Sequence, residues 1–407
     1  MKGFFYLVGG STLAQFVTIV LSPILSRIYL PEDFGLFGFI SSLIYFVNSF
    51  SLMRLEIELL KNKYTKIEIY QYGMAVLLFT TLVSFIVVLA LNLNYYYYSI
   101  PFLVFLSGYY NLLFYNLLSS NNIKNINTNK IILSTVIGGS QLIFGFIGLT
   151  KIGLILGHIF GFIVTLLFME HKFFGLKCKG FVNKFHKNIF IESPSMALNV
   201  LSNHGPTSLI FLLLGGVFGG AYFMAFRILI LPINIISTSL YNYIGANFYI
   251  WGRDFQEKQK YLLEKLIIFT FIPVLFIYLL IEKLVLMFLG PQWIETAIIA
   301  KLSISWLYIR FFFDGFFINF SLLDKPHFNL IFQIISLVTR SISIIIPFYL
   351  GFSPLEVITI FCLISLVIYL LGIFLIFNIL EIKSNIFNIL ILFFVLIMVY
   401  LILGAWS

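Results

Sequence analysis

Seven basic residues lie within apolar stretches of this sequence: Arg27, Arg54, Arg227, Lys283, Lys301, Arg310 and Arg340. A charge placed there is costly and ordinarily faces a partner or a water-filled cavity. A planar guanidinium suits phosphate, because its fork can bond two oxygens at once. Acids at comparable positions are few. Asp314 follows Arg310 by four residues, a spacing that puts both on one helix face and lets them pair. Glu56 and Glu58 flank Arg54, and Glu192 opens a later apolar segment. Arg227 and Arg340 have no acid near them in sequence. Net positive charge among apolar segments is the chemistry of a site for an anionic group.

Each residue also has a plainer reading. Arg27 and Arg54 stand near segment ends, where a long side chain can snorkel to an interface. Arg310 and Asp314 fit a structural pair as well as a site. Lys283 and Lys301 fit anchors at the outer surface. Asn199, Asn203, His204, Gln141, Gln333 and Asn319 fit either a polar path or helix–helix hydrogen bonds. His158 is a candidate for carrying a coupling proton.

Several chemistries have no support. There is no GxxxxGK[ST], HExxH, GxSxG or CxxC, and the four Asp form no DxD. Cys178 and Cys362 stand far apart, so neither a disulfide framework nor a zinc site is indicated. The expectation is a protein without cofactor or metal, and not an enzyme.

The elements that carry these residues are apolar segments near 4–29, 34–54, 72–92, 97–119, 131–149, 152–170, 192–214, 217–246, 266–289, 296–320, 328–349, 355–379 and 385–404. Of the 407 residues, 61% are hydrophobic and only 10% charged, with a mean hydropathy of +1.05. A soluble domain would carry about 25% charge. Runs of roughly 20 apolar residues that recur along the chain predict a polytopic helical membrane protein. With the N-terminus inside, the connections on that side hold seventeen Lys and Arg, and those outside hold one, Lys151. That bias fits the cytoplasmic placement of basic loops, and it accounts for the +9 charge without a nucleic-acid partner. It also suits contact with anionic membrane lipid.

The longest inner connection, 171–190, follows six segments and divides the chain. The expected domains are a six-helix lobe over 1–170, a basic cytoplasmic linker over 171–190, a second six-helix lobe over 191–380, and an extra transmembrane helix within 381–407. The hairpin at 22–35, with Arg27, is echoed at 212–229, with Arg227. Such repeats place a transported group at their interface. Arg227 lies about ten residues below the outer end of its segment, roughly 15 Å down and near the bilayer midplane. Arg340 lies at a similar depth. The outer loops are too short to hold a folded catalytic module.

The stretches LSPILSRIYLPEDFGLFGFI (21–40), SLMRLEIELL (51–60) and SPSMALNVLSNHGPTSLIFLLLGGVFGGAYFMAFRILILPINIIS (193–237) resemble the polysaccharide-repeat flippases of the Wzx type. These belong to the MOP exporter superfamily, with the MATE drug exporters and the lipid II flippases. The resemblance implies an all-α polytopic fold of two six-helix, MATE-like lobes around a central cavity, here with one extra C-terminal helix. It implies transfer of an undecaprenyl-diphosphate-linked oligosaccharide, of O-antigen or capsule type, to the outer leaflet of the cytoplasmic membrane. By the same resemblance Arg27, Arg54 and Arg227 would bind the pyrophosphate, and Arg340 joins them on depth; the same positive charge also suits an anionic sugar. Arg310, Asp314, His204, Asn203 and Asn199 are candidates for cavity polarity or coupling. Expected partners are the lipid-linked oligosaccharide, membrane lipid, and the saccharide polymerase with its chain-length machinery. A MATE-like drug exporter would require unpaired acids, and a membrane polymerase or ligase a large outer loop.

Overall fold

The structure, a computed structural model, describes residues 2–61, 65–120, 122–171, 175–177, 180–186, 188–323 and 325–381. The expected thirteenth segment, 385–404, and Cys178 lie outside the described residues. Twelve long helices are described: α1 (Lys2–Ile28), α2 (Pro31–Ser51), α3 (Lys66–Ala90), α4 (Ser99–Ser119), α5 (Ile123–Phe146), α6 (Thr150–Leu167), α7 (Ser193–Leu214), α8 (Gly216–Trp251), α9 (Phe255–Leu289), α10 (Ile294–Phe316), α11 (Pro326–Tyr349) and α12 (Pro354–Ile379). Each coincides with one of the first twelve apolar segments. Ten described helices are long and apolar enough to cross a membrane, making this a multi-pass membrane protein.

Local sequence sets the helix ends. Pro31 opens α2, where its missing N–H costs nothing, and the Asp33 carboxylate accepts from the Leu30 N–H at 3.0 Å. At α12 the Glu356 carboxylate likewise accepts from the Ser353 N–H, at 2.7 Å. Gly215 breaks the chain between α7 and α8 at φ +91°, a conformation costly for any residue with a Cβ. The connection at 247–265, expected as a loop, is mostly helix: α8 runs on to Trp251 and α9 begins at Phe255. Its Gln, Lys, Glu and Leu are good helix formers, so the helices continue past their apolar parts.

The chain divides into two compact units, residues 1–208 and 209–407, with the division inside α7. In the first unit α5 packs between α1 and α6, while α4 packs on α2, α3 and α6. Contact of α6 with α5 depends on Gly157 and Gly161, which bring the backbone of Gln141 and Ile137 within reach. Small residues at this spacing let membrane helices approach closely. The Tyr29 hydroxyl donates to the Gln141 carbonyl at 2.6 Å and ties α1 to the pair. A short helix, Leu55–Lys61, packs beneath α3 and α4, burying Leu55 and Leu59. Lys177 and Lys184 of the basic linker bond the Glu68 carboxylate at 3.3 and 2.8 Å.

The second unit is organised on α10. It is buried along nearly its whole length and packs against α8, α9 and α12. α11 packs on α12.

Candidate functional site

A cavity of about 400 Å³ lies inside the first unit. From α2 it is lined by Tyr45, Asn48, Ser49 and Ser51. Arg54 and Glu56 follow just beyond that helix. Ser107, Tyr110, Asn111 and Tyr115 face it from α4, Phe162 from α6, and Met196, Val200 and His204 from α7. The α7 residues recur every four positions, one face of a helix. A second cavity of about 80 Å³ shares Tyr45, Asn48, Ser107 and Phe162 and reaches His158.

The backbone at the cavity edge is unusual. Met53 and Arg54 have φ of +45° and +60°, rare for residues with a side chain and found where surrounding structure imposes them. Asn188 supplies part of that constraint, donating to the Arg54 carbonyl at 3.4 Å and to Glu58 Oε1 at 3.3 Å. Arg54 Nη1 stands 3.7 Å from Glu56 Oε1. Burial pushes the Glu56 carboxyl above its ordinary range, against the opposing pull of a backbone hydrogen bond and of Arg54. The Asn48 amide donates to Ser107 Oγ at 2.7 Å. Tyr45 and His204 pack ring to ring at 4.6 Å between centroids.

The structure thus gathers Arg54 and His204 of the expected set into one cavity. Asn199 and Asn203 lie one helix turn apart, and Asn203 Nδ2 donates to Asn199 Oδ1 at 2.8 Å, an internal bond of α7. Arg27 is exposed near the end of α1. Arg227 is half-buried and is the one charged residue of the 36-residue α8.

Arg340 and Arg310 sit in the interior of the second unit. Arg340 is 1% exposed; its guanidinium lies 5.1 Å from the ring centres of Trp306 and Phe361 and 5.8 Å from Tyr369, and Nε donates to Ser365 Oγ at 3.2 Å. Such a box of ring faces stabilises a cation away from water. Arg310 Nε bonds Asp314 Oδ2 at 3.0 Å, and its guanidinium lies over Phe226 and Tyr369. This is the i, i+4 pair read from the spacing. The two arginines hold α8, α10, α11 and α12 together.

Sequence reasoning missed Tyr45, Asn48, Ser107, Asn111 and Tyr115 as cavity residues. The available signal was the asparagines within apolar segments: Asn48 stands three residues from Tyr45 and Ser51, and Asn111 four from Ser107 and Tyr115, all of which share the cavity.

No family model and no curated protein sequence matches this chain. Its structure is similar to solved structures. The lipid II flippase MurJ in an inward closed conformation superposes with a TM-score of 0.68 at 15% identity, covering 98% of this chain and 93% of that one. An inward-facing multidrug resistance MATE family transporter of the MOP superfamily gives a TM-score of 0.61 at 13% identity, over 92% and 94%. A MATE in complex with MaL6 gives 0.61 at 14%, over 93% and 96%. The chain therefore has the all-helical fold of MurJ and the MATE transporters.

Proposed function

We propose that the chain is an alternating-access flippase that carries an undecaprenyl-diphosphate-linked oligosaccharide from the inner to the outer leaflet of the cytoplasmic membrane. The N-terminus would be cytoplasmic. The repeat unit would be of O-antigen or capsule type, received on the outer side by a saccharide polymerase with its chain-length machinery. The chain would act as a transporter and not as an enzyme, driven by an ion or proton gradient.

The observation that carries this reading is Arg227. It lies eleven residues into α8, about 17 Å along the axis at 1.5 Å per residue. No acid accompanies it on that helix. Asp314 and Glu56 are each committed to an arginine, at 3.0 and 3.7 Å. The 36 residues of α8 thus bring one guanidinium and no carboxylate, which suits an anionic group better than a cationic drug. Arg227, with Arg27 and Arg54, would neutralise the diphosphate through two-pronged contacts. Arg340 is enclosed by rings and belongs to the scaffold of its unit.

The test uses the purified chain in liposomes that carry undecaprenyl-diphosphate-linked N-acetylglucosamine with a fluorophore on the sugar. The expected result is transfer of label between leaflets, read by a membrane-impermeant quencher, and lost in Arg227→Ala. Extrusion of a cationic dye without lipid transfer would establish the drug-exporter reading instead.

A further inference from the structure

We propose that Asn188 is a positioning residue for Arg54: it holds the left-handed turn at Met53–Arg54 that presents the Arg54 guanidinium to the cavity, and so to the diphosphate. The inference rests on the flippase reading, which puts Arg54 on the diphosphate. It goes beyond that reading by naming a side chain that does not itself line the cavity but aims one that does.

The turn carries the argument. Leu52 and Leu55 close it, with the Leu55 N–H donating to the Leu52 carbonyl at 2.9 Å. Its two central residues, Met53 and Arg54, both have positive φ, +45° and +60°. This is the mirror-image turn that ordinarily takes Asn and Gly, because a Cβ crowds the following carbonyl there. Met and Arg do not choose that backbone, so surrounding structure must impose it.

Asn188 is placed to do so. Its Nδ2 donates to the Arg54 carbonyl at 3.4 Å and to Glu58 Oε1 at 3.3 Å. The Arg54 carbonyl also accepts from the Ile57 N–H at 3.2 Å, so both of its lone pairs are engaged. Asn188 and Glu58 are buried, and hydrogen bonds held away from water are the stronger for it. The backbone of the turn is thus fixed while the side chain stays available. Arg54 lines the cavity with 28% of its side chain exposed. One nitrogen stands 3.7 Å from Glu56, and a guanidinium has five N–H donors, so others are left to meet phosphate oxygens.

The linker fixes Asn188 in turn. Lys177 and Lys184 bond Glu68, and the Lys177 N–H reaches the Gln71 carbonyl at 3.5 Å. Phe185 is buried edge-on against Tyr72 of α3, 5.5 Å between centroids, and Phe181 lies 5.7 Å from the same ring. The Ile189 N–H then donates to the Phe185 carbonyl at 3.0 Å. Asn188 opens a wide helical turn, Asn188–Glu192, that runs directly into α7 at Ser193. Such turns recur at functional sites. The basic linker therefore reaches the edge of the cavity through one amide.

The test titrates the full chain in detergent with undecaprenyl-diphosphate-linked N-acetylglucosamine. Arg54→Ala should weaken binding about 10- to 100-fold, the loss of a charge-assisted contact. Asn188→Leu, similar in size but without donors, should weaken it about 3- to 10-fold. In the Arg54→Ala background the same substitution should cost less than about 2-fold more, because its effect runs through Arg54. Met53→Gly should restore binding to Asn188→Leu, since glycine takes positive φ without being held there. A cooperative melt reports that each variant is folded, and Asn188→Ala replaces the leucine variant if leucine prevents folding. Losses that simply add across Asn188 and Arg54 overturn the positioning role, and so does wild-type affinity in Asn188→Leu. Wild-type affinity in Arg54→Ala overturns it as well and leaves the flippase reading on Arg227. A wild type that does not bind this lipid overturns both.

Discussion

Gly157→Ala tests the contact that sets the spacing of α5 and α6, and hence where Leu133 and Phe162 stand in the cavity wall. A Cβ at Gly157 would overlap Gln141 Cγ and stand 2.9 Å from the Gln141 backbone nitrogen and 3.1 Å from its Cα. The first atom can swing aside, but the backbone atoms cannot, so the helices must separate. Overpacking of this kind costs about 1–3 kcal/mol. Alanine in a helix returns at most about 1 kcal/mol relative to glycine. The expected outcome is a net loss of up to about 2 kcal/mol. Gly139, on α5, supplies the control: nothing stands within 4 Å of its Cβ position, so Gly139→Ala should gain about 0.5–1 kcal/mol. Thermal unfolding of each variant in one detergent, followed by tryptophan fluorescence, reads both. The two should move in opposite directions. A Gly157→Ala protein stabilised as much as Gly139→Ala would refute the close backbone approach.

Other expectations concern charge. Asp314→Leu leaves Arg310 with a buried charge beside rings and should destabilise by about 3 kcal/mol, while adding Arg310→Met should recover most of that loss; a purely additive double-mutant cycle, completed by Arg310→Met alone, would show that the two side chains do not interact. Glu56 gives a pH signature. Burial raises its carboxyl above the ordinary value of about 4.3, so the folded state favours the protonated form. That stabilising effect is complete below the ordinary value and lost as pH rises through the raised one. The melting temperature of the wild type minus that of Glu56→Gln should therefore fall as pH rises above the ordinary value of about 4.3; a difference that grows with pH contradicts burial as the dominant cause.

The spans were legible because apolar length alone specifies them: α2 and α12 begin within three residues of where composition turns apolar. The pairing of Arg310 with Asp314 was legible for a related reason, since four residues along a helix fixes their geometry whatever surrounds them. Facing was not legible. Arg227 and Arg340 share a depth in sequence, yet one is half-buried on α8 and the other is boxed by Trp306, Phe361 and Tyr369, which come from α10 and α12. Nor was the cavity legible, because Asn48, Asn111 and Glu56 meet only through the packing of α2, α4 and the turn at Met53–Arg54. That turn adopts left-handed backbone at residues whose types gave no warning of it.

The central claim, arginine-dependent transfer of a lipid-linked saccharide, is tested most directly by asking on which side of the membrane the substrate accumulates. Cells lacking the chain would be fed a labelled lipid-linked repeat and probed from outside, then complemented with wild type, Arg227→Ala or Arg227→Lys at matched membrane levels. The account predicts that the repeat is trapped on the inner side, released by the wild type, not released by the alanine variant and only partly by lysine, whose ammonium lacks the two-pronged contact. Accumulation of unpolymerised repeats on the outer side in the absence of the chain would contradict it, because translocation would then proceed without this protein.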